Sequence, residues 1–124
     1  MWPFKKTSDE EKIGNIDLEN EAISKVDEYK NYSNDSVIHL NRIFRVYINE
    51  KFGIKQSLTF EELLKIIKKR DINLSLKEKI IVLASKFNGI EYNFEDINID
   101  KYNSLVERLK EIIVMNIPDD KKKL

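Results

Sequence analysis

Chemistry in a protein starts with nucleophiles, bases and metal ligands, and this 124-residue chain offers few. It has no cysteine, which removes thiolate catalysis, thiolate metal sites and disulfides. It has one histidine, His39. A catalytic base needs a nucleophile and an orienting partner, and a metal needs further ligands. His39 falls on the polar side of its helix and reads as a surface histidine. Acids come in pairs at Glu61-Glu62, Glu95-Asp96 and Asp119-Asp120. Paired carboxylates do hydrolytic work only in a cleft that pushes their pKa values apart. Glu61 and Glu62 fit a simpler role at a helix start, where acids meet the positive end of the dipole. Asp96-Ile97-Asn98-Ile99-Asp100 opens like a calcium loop, and Glu107 stands at its twelfth position. Lys101 occupies the place that needs glycine, and Tyr102, Leu105 and Val106 carry a helical apolar pattern straight through. Phosphate-loop, dinucleotide and nucleophile-elbow motifs are absent. The expectation is a non-enzymatic protein without metal or cofactor.

The cations pose the next question. Lys and Arg together number 22, matched by 22 Asp and Glu, so net charge predicts no general attraction to nucleic acid or anionic membrane. The charge is unevenly spread: residues 1–36 hold five Lys against nine acids, whereas 37–71 hold eight Lys and Arg against four. Arg42, Arg45, Lys65, Lys68 and Lys69 form a candidate basic interaction surface on two helices, 37–52 and 60–70. The alternative function is therefore nucleic-acid binding through that surface. A helix-turn-helix would pair Thr59–Arg70 with Ser75–Asn88 as reading helix. The start of that second helix, Leu76-Lys77-Glu78-Lys79, is mixed in sign and lacks the Arg, Asn or Gln that read base edges. Lysines ending a helix also suit its dipole without any partner.

These residues need elements to hold them. Only three glycines and two prolines interrupt the chain, which favours helices and short turns over a many-stranded sheet. The expected fold is all-α, a compact bundle of four clear helices plus an N-terminal one. A helix from about Val37 to about Phe52 buries Val37, Leu40, Ile43, Phe44, Tyr47, Ile48 and Phe52 over half its circumference. Asn34, Asp35 and Ser36 offer its N-cap, and Gly53 its left-handed end. Thr59-Phe60-Glu61-Glu62 is a capping box, opening a helix to about Arg70. Ser75–Glu78 repeats the pattern and opens a helix ended by Asn88-Gly89, followed by a short extended segment near 90–94. Asp100 caps a last helix to about Asn116, with Tyr102, Leu105, Val106, Leu109, Ile112 and Ile113 inward. Residues 1–36 read as an acidic arm, helical from about Asp17 to Tyr32. The stripe Ile16, Ile23 and Val26 is its candidate partner-binding face. The division into arm (1–36), core (37–116) and charged tail (117–124) predicts that 34–116 folds without residues 1–32.

No run approaches the ~18 apolar residues of a membrane span, and Met1–Lys12 lacks the apolar stretch of a secretory signal. The expected location is cytoplasmic. Trp2 and Phe4 beside Lys5 and Lys6 give a weak anchor for peripheral membrane contact.

Three stretches carry a resemblance: Ile43–Gly53 with its RVYINEKFG, Leu58–Leu64 with its LTFEELL, and Leu83–Phe87 with its LASKF. Residues 37–114 resemble the cytoplasmic helical tails of Bat aerotolerance type D proteins and of membrane-bound transglutaminase-like proteins of prokaryotes. The resemblance implies a helical domain without known catalytic residues. Those tails follow a transmembrane helix, whereas here Met1–Lys6 and an acidic segment stand in that place. Residues and resemblance together give one expectation, an adaptor-like helical domain whose partner is another protein.

Overall fold

The computed structural model describes residues 17–33, 35–54, 58–92 and 96–118. Five helices follow one another: α1 (Asp17–Glu28), α2 (Ser36–Phe52), α3 (Phe60–Lys69), α4 (Leu74–Tyr92) and α5 (Ile99–Met115). There is no strand among the described residues, and no helix there is long and apolar enough to cross a membrane. The fold is an all-α bundle. Helix α5 lies at its centre, packed on α1, α2 and α4; α1 also packs on α2, and α3 covers α4. The rings of Phe44 and Phe87, 5.7 Å apart, join α2 to α4.

Local chemistry explains most helix ends. The Thr59 hydroxyl accepts from the Glu62 amide at 3.1 Å, and the Glu62 carboxylate accepts from the Thr59 amide at 2.9 Å. Both orphan donors of the first turn are thus satisfied reciprocally. These bonds hold the Glu62 carboxyl below its ordinary pKa, the backbone bond contributing most. Helix α2 ends as expected at Gly53, whose φ is 61°. The Gly53 and Ile54 amides both reach the Asn49 carbonyl, and Ile54 is buried against the end. That left-handed conformation is one that glycine adopts without steric cost.

Other boundaries differ from the sequence expectation. Asn73 caps α4 in place of Ser75, its side chain accepting from the Leu76 amide at 3.1 Å. Asn98 caps α5 in place of Asp100, accepting from the Lys101 amide at 2.9 Å. Asn is as good an N-cap as Ser or Asp, and in each case the earlier residue takes the role. At α2, Asp35 occupies the cap position without a side-chain cap bond. Instead the Ser36 hydroxyl donates to the Ser33 carbonyl at 2.9 Å and accepts from the Ser33 amide at 2.8 Å. Helix α4 does not stop at Asn88-Gly89. It continues to Tyr92 because Ile90 packs against the core and the Glu91 carboxylate accepts from the Asn41 amide group at 2.8 Å. These long-range contacts outweigh the roughly 1 kcal/mol that a helical glycine costs. Residues 90–92 are therefore helical, and 93–94 lie outside the described residues, as do Asn34, Ile16, Trp2, Phe4 and 119–124.

The largest departure concerns the N-terminal helix. It ends at Glu28, short of Tyr32. Its face Glu19, Ala22 and Val26 is sealed, and Leu18 and Ile23 are partly buried against the same core. Val26 has 0% exposure, so it is core and is not open to a partner, and Ile23 is mostly spent the same way. Helix α1 belongs to the bundle. The expectation for a 34–116 fragment changes accordingly, because cutting α1 away bares the surfaces of α2 and α5 that it covers. A chain starting at residue 34 should melt at markedly lower temperature than the full chain or lose its cooperative transition, as read by circular dichroism. Replacing Gly53 with Ala should cost about 1 kcal/mol in urea unfolding, since nothing lies within 4 Å of the added Cβ and only the positive φ is strained.

Candidate functional site

The most constrained polar group is an acid on α1. Glu19 is 1% exposed. Its Oε2 accepts from the Tyr47 hydroxyl at 2.7 Å and pairs with Lys51 Nζ at 3.0 Å. Tyr47 and Lys51 stand one turn apart on α2, so both donors reach a single oxygen. Among the described residues no donor reaches Oε1. The Tyr47 phenol is pushed far above its ordinary value of 10.0, first by burial, then by the Glu19 charge and the hydrogen bond to it. Glu19 lines neither of the two recesses described below. The arrangement fastens one helix to another.

A second tyrosine fastens the other end of α1. The Tyr102 hydroxyl donates to the Tyr29 carbonyl, with the Ser36 carbonyl 3.5 Å away, and its ring tilts against Tyr32. Burial raises its pKa as well. An ion pair of 2.7 Å between Lys110 and Asp27 runs along the same seam.

The larger recess, about 430 Å³, opens between α2, the start of α3 and α4. Phe44, Ala84 and Phe87 supply apolar lining, with Leu58 and Phe60 beside them, and Asn41, Arg45, Thr59, Glu61 and Asn88 supply polar groups. Several of those polar groups are engaged in holding the walls. Arg45 Nη2 donates to the Leu58 carbonyl at 2.5 Å, Asn41 holds Glu91, and Thr59 caps α3. The smaller recess, about 250 Å³, lies between α1 and α2 and is lined by Lys25, Glu28, Tyr29, His39, Arg42 and Ile43.

The basic residues singled out in the sequence are thus divided. Arg45 faces the larger recess and Arg42 the smaller. Lys65, Lys68 and Lys69 are exposed on α3 and line neither. The Lys68 carbonyl accepts from Lys77 Nζ at 3.1 Å, which ties the end of α3 to α4. His39 is exposed, as its place on the polar face implied, but its ring stacks on Tyr29 at 4.6 Å. Among the described residues no group of three or more His, Asp or Glu is assembled to hold a metal ion. Sequence reasoning missed Glu19, which looked like one more acid of a solvated arm. Its place at the head of the Ala22 and Val26 stripe was the only available signal.

No family model, curated protein or solved structure matches the chain.

Two measurements test the buried acid. Tyr47→Phe and Glu19→Gln should each cost about 2 kcal/mol, the worth of a hydrogen bond to a charged group. The double variant should cost less than their sum by at least about 1 kcal/mol, measured by urea unfolding. The raised phenol also sets an alkaline limit. A tyrosine raised on folding stabilises fully below the unfolded value of 10.0. That stability is lost as pH rises from there toward the folded value, by about 1.4 kcal/mol per pH unit for one group. Tyr47→Phe should remove that slope above pH 10 and leave the part due to Tyr102.

Proposed function

We propose that this chain is a non-enzymatic helical interaction module that receives an apolar side-chain anchor of a partner protein in the recess between α2, α3 and α4. The observation that carries this reading is the lining of that recess. Aromatic and aliphatic groups at the bottom, with Asn41, Glu61 and Asn88 around them, match the apolar centre and polar rim of a protein interface. Binding energy in such interfaces concentrates in a few anchors seated in pockets. The walls are braced in advance by the Arg45, Asn41 and Thr59 hydrogen bonds and by the Phe44–Phe87 pair. A braced recess loses less conformational freedom when a partner arrives. The polar groups there work for the fold, which supports binding over catalysis. Glu61 is exposed at the rim and suits a basic residue beside the anchor. The resemblance of residues 37–114 to helical tails of prokaryotic membrane proteins points the same way, toward a cytoplasmic adaptor.

Affinity capture with the tagged full-length chain from its own cell lysate tests this, with a Glu61→Arg/Asn88→Arg variant and an exposed-site control, Lys86→Glu, in parallel. A protein enriched by wild type and control, and reduced about tenfold or more by the rim variant, is the expected result. Capture that ignores the rim variant, or no capture at all, contradicts the reading.

A further inference from the structure

A stripe of charge leads along α3 into the larger recess. Glu61, in the first turn of α3, lines the recess, and Lys65 and Lys68 follow it at helical spacing on the same exposed face. Lys69 stands beside Lys68 and is exposed too. Beyond the Thr59 bonds, Lys65 also lowers the Glu62 carboxyl, so its charge is partly spent there. Glu61, Lys68 and Lys69 have no opposite charge at ion-pair distance among the described residues. The helix thus presents an acid at the recess and cations ~10–12 Å away at its other end.

That other end lies close to the start of α1. Glu19 meets Tyr47 and Lys51 near the end of α2, and the Asn116 side chain past α5 lies beside the same Tyr47 hydroxyl. Lys79 near the start of α4 pairs with Glu111 near the end of α5. Lys77 in turn reaches the Lys68 carbonyl. The start of α1 and the Lys68-Lys69 pair therefore share one end of the bundle, and the recess lies two turns further along α3.

Residues 1–16 lie outside the described residues, and their sequence has the complementary order. Asp9, Glu10 and Glu11 come nearest to α1, Lys5 and Lys6 next, and Trp2 and Phe4 last. Followed away from α1, acids meet the lysines ending α3, the Lys5-Lys6 pair meets Glu61, and two aromatic rings arrive at the recess. The lengths agree as well. About five extended residues, ~16 Å of chain, separate the Lys5-Lys6 pair from the acids. From Phe4 to Asp17 the chain spans up to ~43 Å, whereas α3 is only ~15 Å long.

We propose that this chain's own Trp2 and Phe4 occupy the larger recess, so that a partner's anchor must displace them. The inference rests on reading the recess as a seat for an apolar anchor, and it names the resident occupant. At about 430 Å³ the recess exceeds one aliphatic side chain. Arg45 in the lining favours an aromatic anchor, because a guanidinium is attracted to a ring face. The same charge turns Lys5 and Lys6 away toward Glu61. Pro3 favours an extended backbone at Trp2, and side chains two apart on an extended chain point the same way. Exposed ion pairs contribute little each, so the occupant is displaceable. Its advantage is the tether, which gives it a local concentration of ~1 mM.

Trp2 is the only tryptophan of the chain, so its fluorescence reports the occupant directly. In the full-length chain, emission to the blue of free tryptophanamide and weak quenching by acrylamide are expected, unchanged by dilution. Glu61→Arg/Asn88→Arg and Lys68→Glu/Lys69→Glu should each shift the ratio of seated to released Trp2 about tenfold toward release. Adding Glu10→Lys/Glu11→Lys to the lysine variant should restore the shielding. Emission and quenching equal to free tryptophanamide overturn the proposal. Shielding lost on dilution also overturns it and marks a second copy as the occupant. Shielding seen only with anionic vesicles overturns it in favour of a lipid surface. Shielding that ignores the rim variant, or a charge swap that fails to restore it, overturns it as well. Rim-dependent capture of a protein while Trp2 is exposed refutes self-occupancy and leaves the anchor reading standing. A shielded Trp2 released by the rim variant, with no captured protein, supports self-occupancy and counts against the external partner.

Discussion

A carboxylate shut away from water must be met by donors, or its burial is too costly to persist. Glu19 meets that condition at one oxygen, Oε2, through Tyr47 and Lys51, two residues one turn apart on α2. Buried ion pairs add little net stability compared with well-packed apolar groups, but breaking one by removing a partner is expensive. The contact therefore acts on register. Sliding α1 by one turn would set Ile23 against the Tyr47 hydroxyl and take Glu19 away from both donors. The observed placement of α1 pairs Oε2 of the acid with both donors and also buries Ala22 and Val26.

Much of the remaining architecture follows from that placement. With α1 fixed near its start by Glu19, its end delivers Tyr29 to the Tyr102 hydroxyl and to the His39 ring. Those contacts shape the smaller recess and bind α1 to the central helix α5. The larger recess depends on α2 from the other side. Phe44 meets Phe87, Asn41 meets Glu91, and Arg45 reaches Leu58. One helix thus presents a face to each recess, and its own position is set by the acid on α1.

What the sequence made legible was mainly local. The Thr59 capping box, the Gly53 terminus, the wide apolar arc of α2 and the six inward residues of α5 are all found where spacing and capping chemistry place them. Short-range rules decide such features, because the interacting groups lie within one or two turns. What escaped depends on groups far apart in the chain. Glu19 is buried by a tyrosine 28 positions away, and α4 runs past Gly89 because Asn41 holds Glu91 from 50 positions away. Arg45 read as a surface cation, yet its side chain binds the loop before α3. The stack of Tyr29 on His39 spans the α1–α2 connection, and no periodicity announces it. An acidic segment with few apolar residues resembles a solvated arm until a partner for its one sealed acid is found.

The central claim is that the Glu19 contact makes α1 part of one cooperative unit with α2 and α5. Native-state hydrogen exchange of the full-length chain, followed amide by amide in low denaturant, addresses it directly. The account predicts that the protected amides around Ala22 and Val26 exchange with the same free energy and denaturant dependence as those of Tyr47 and Leu109. Exchange of α1 through a separate, low-energy opening, while α2 and α5 stay protected, would contradict it.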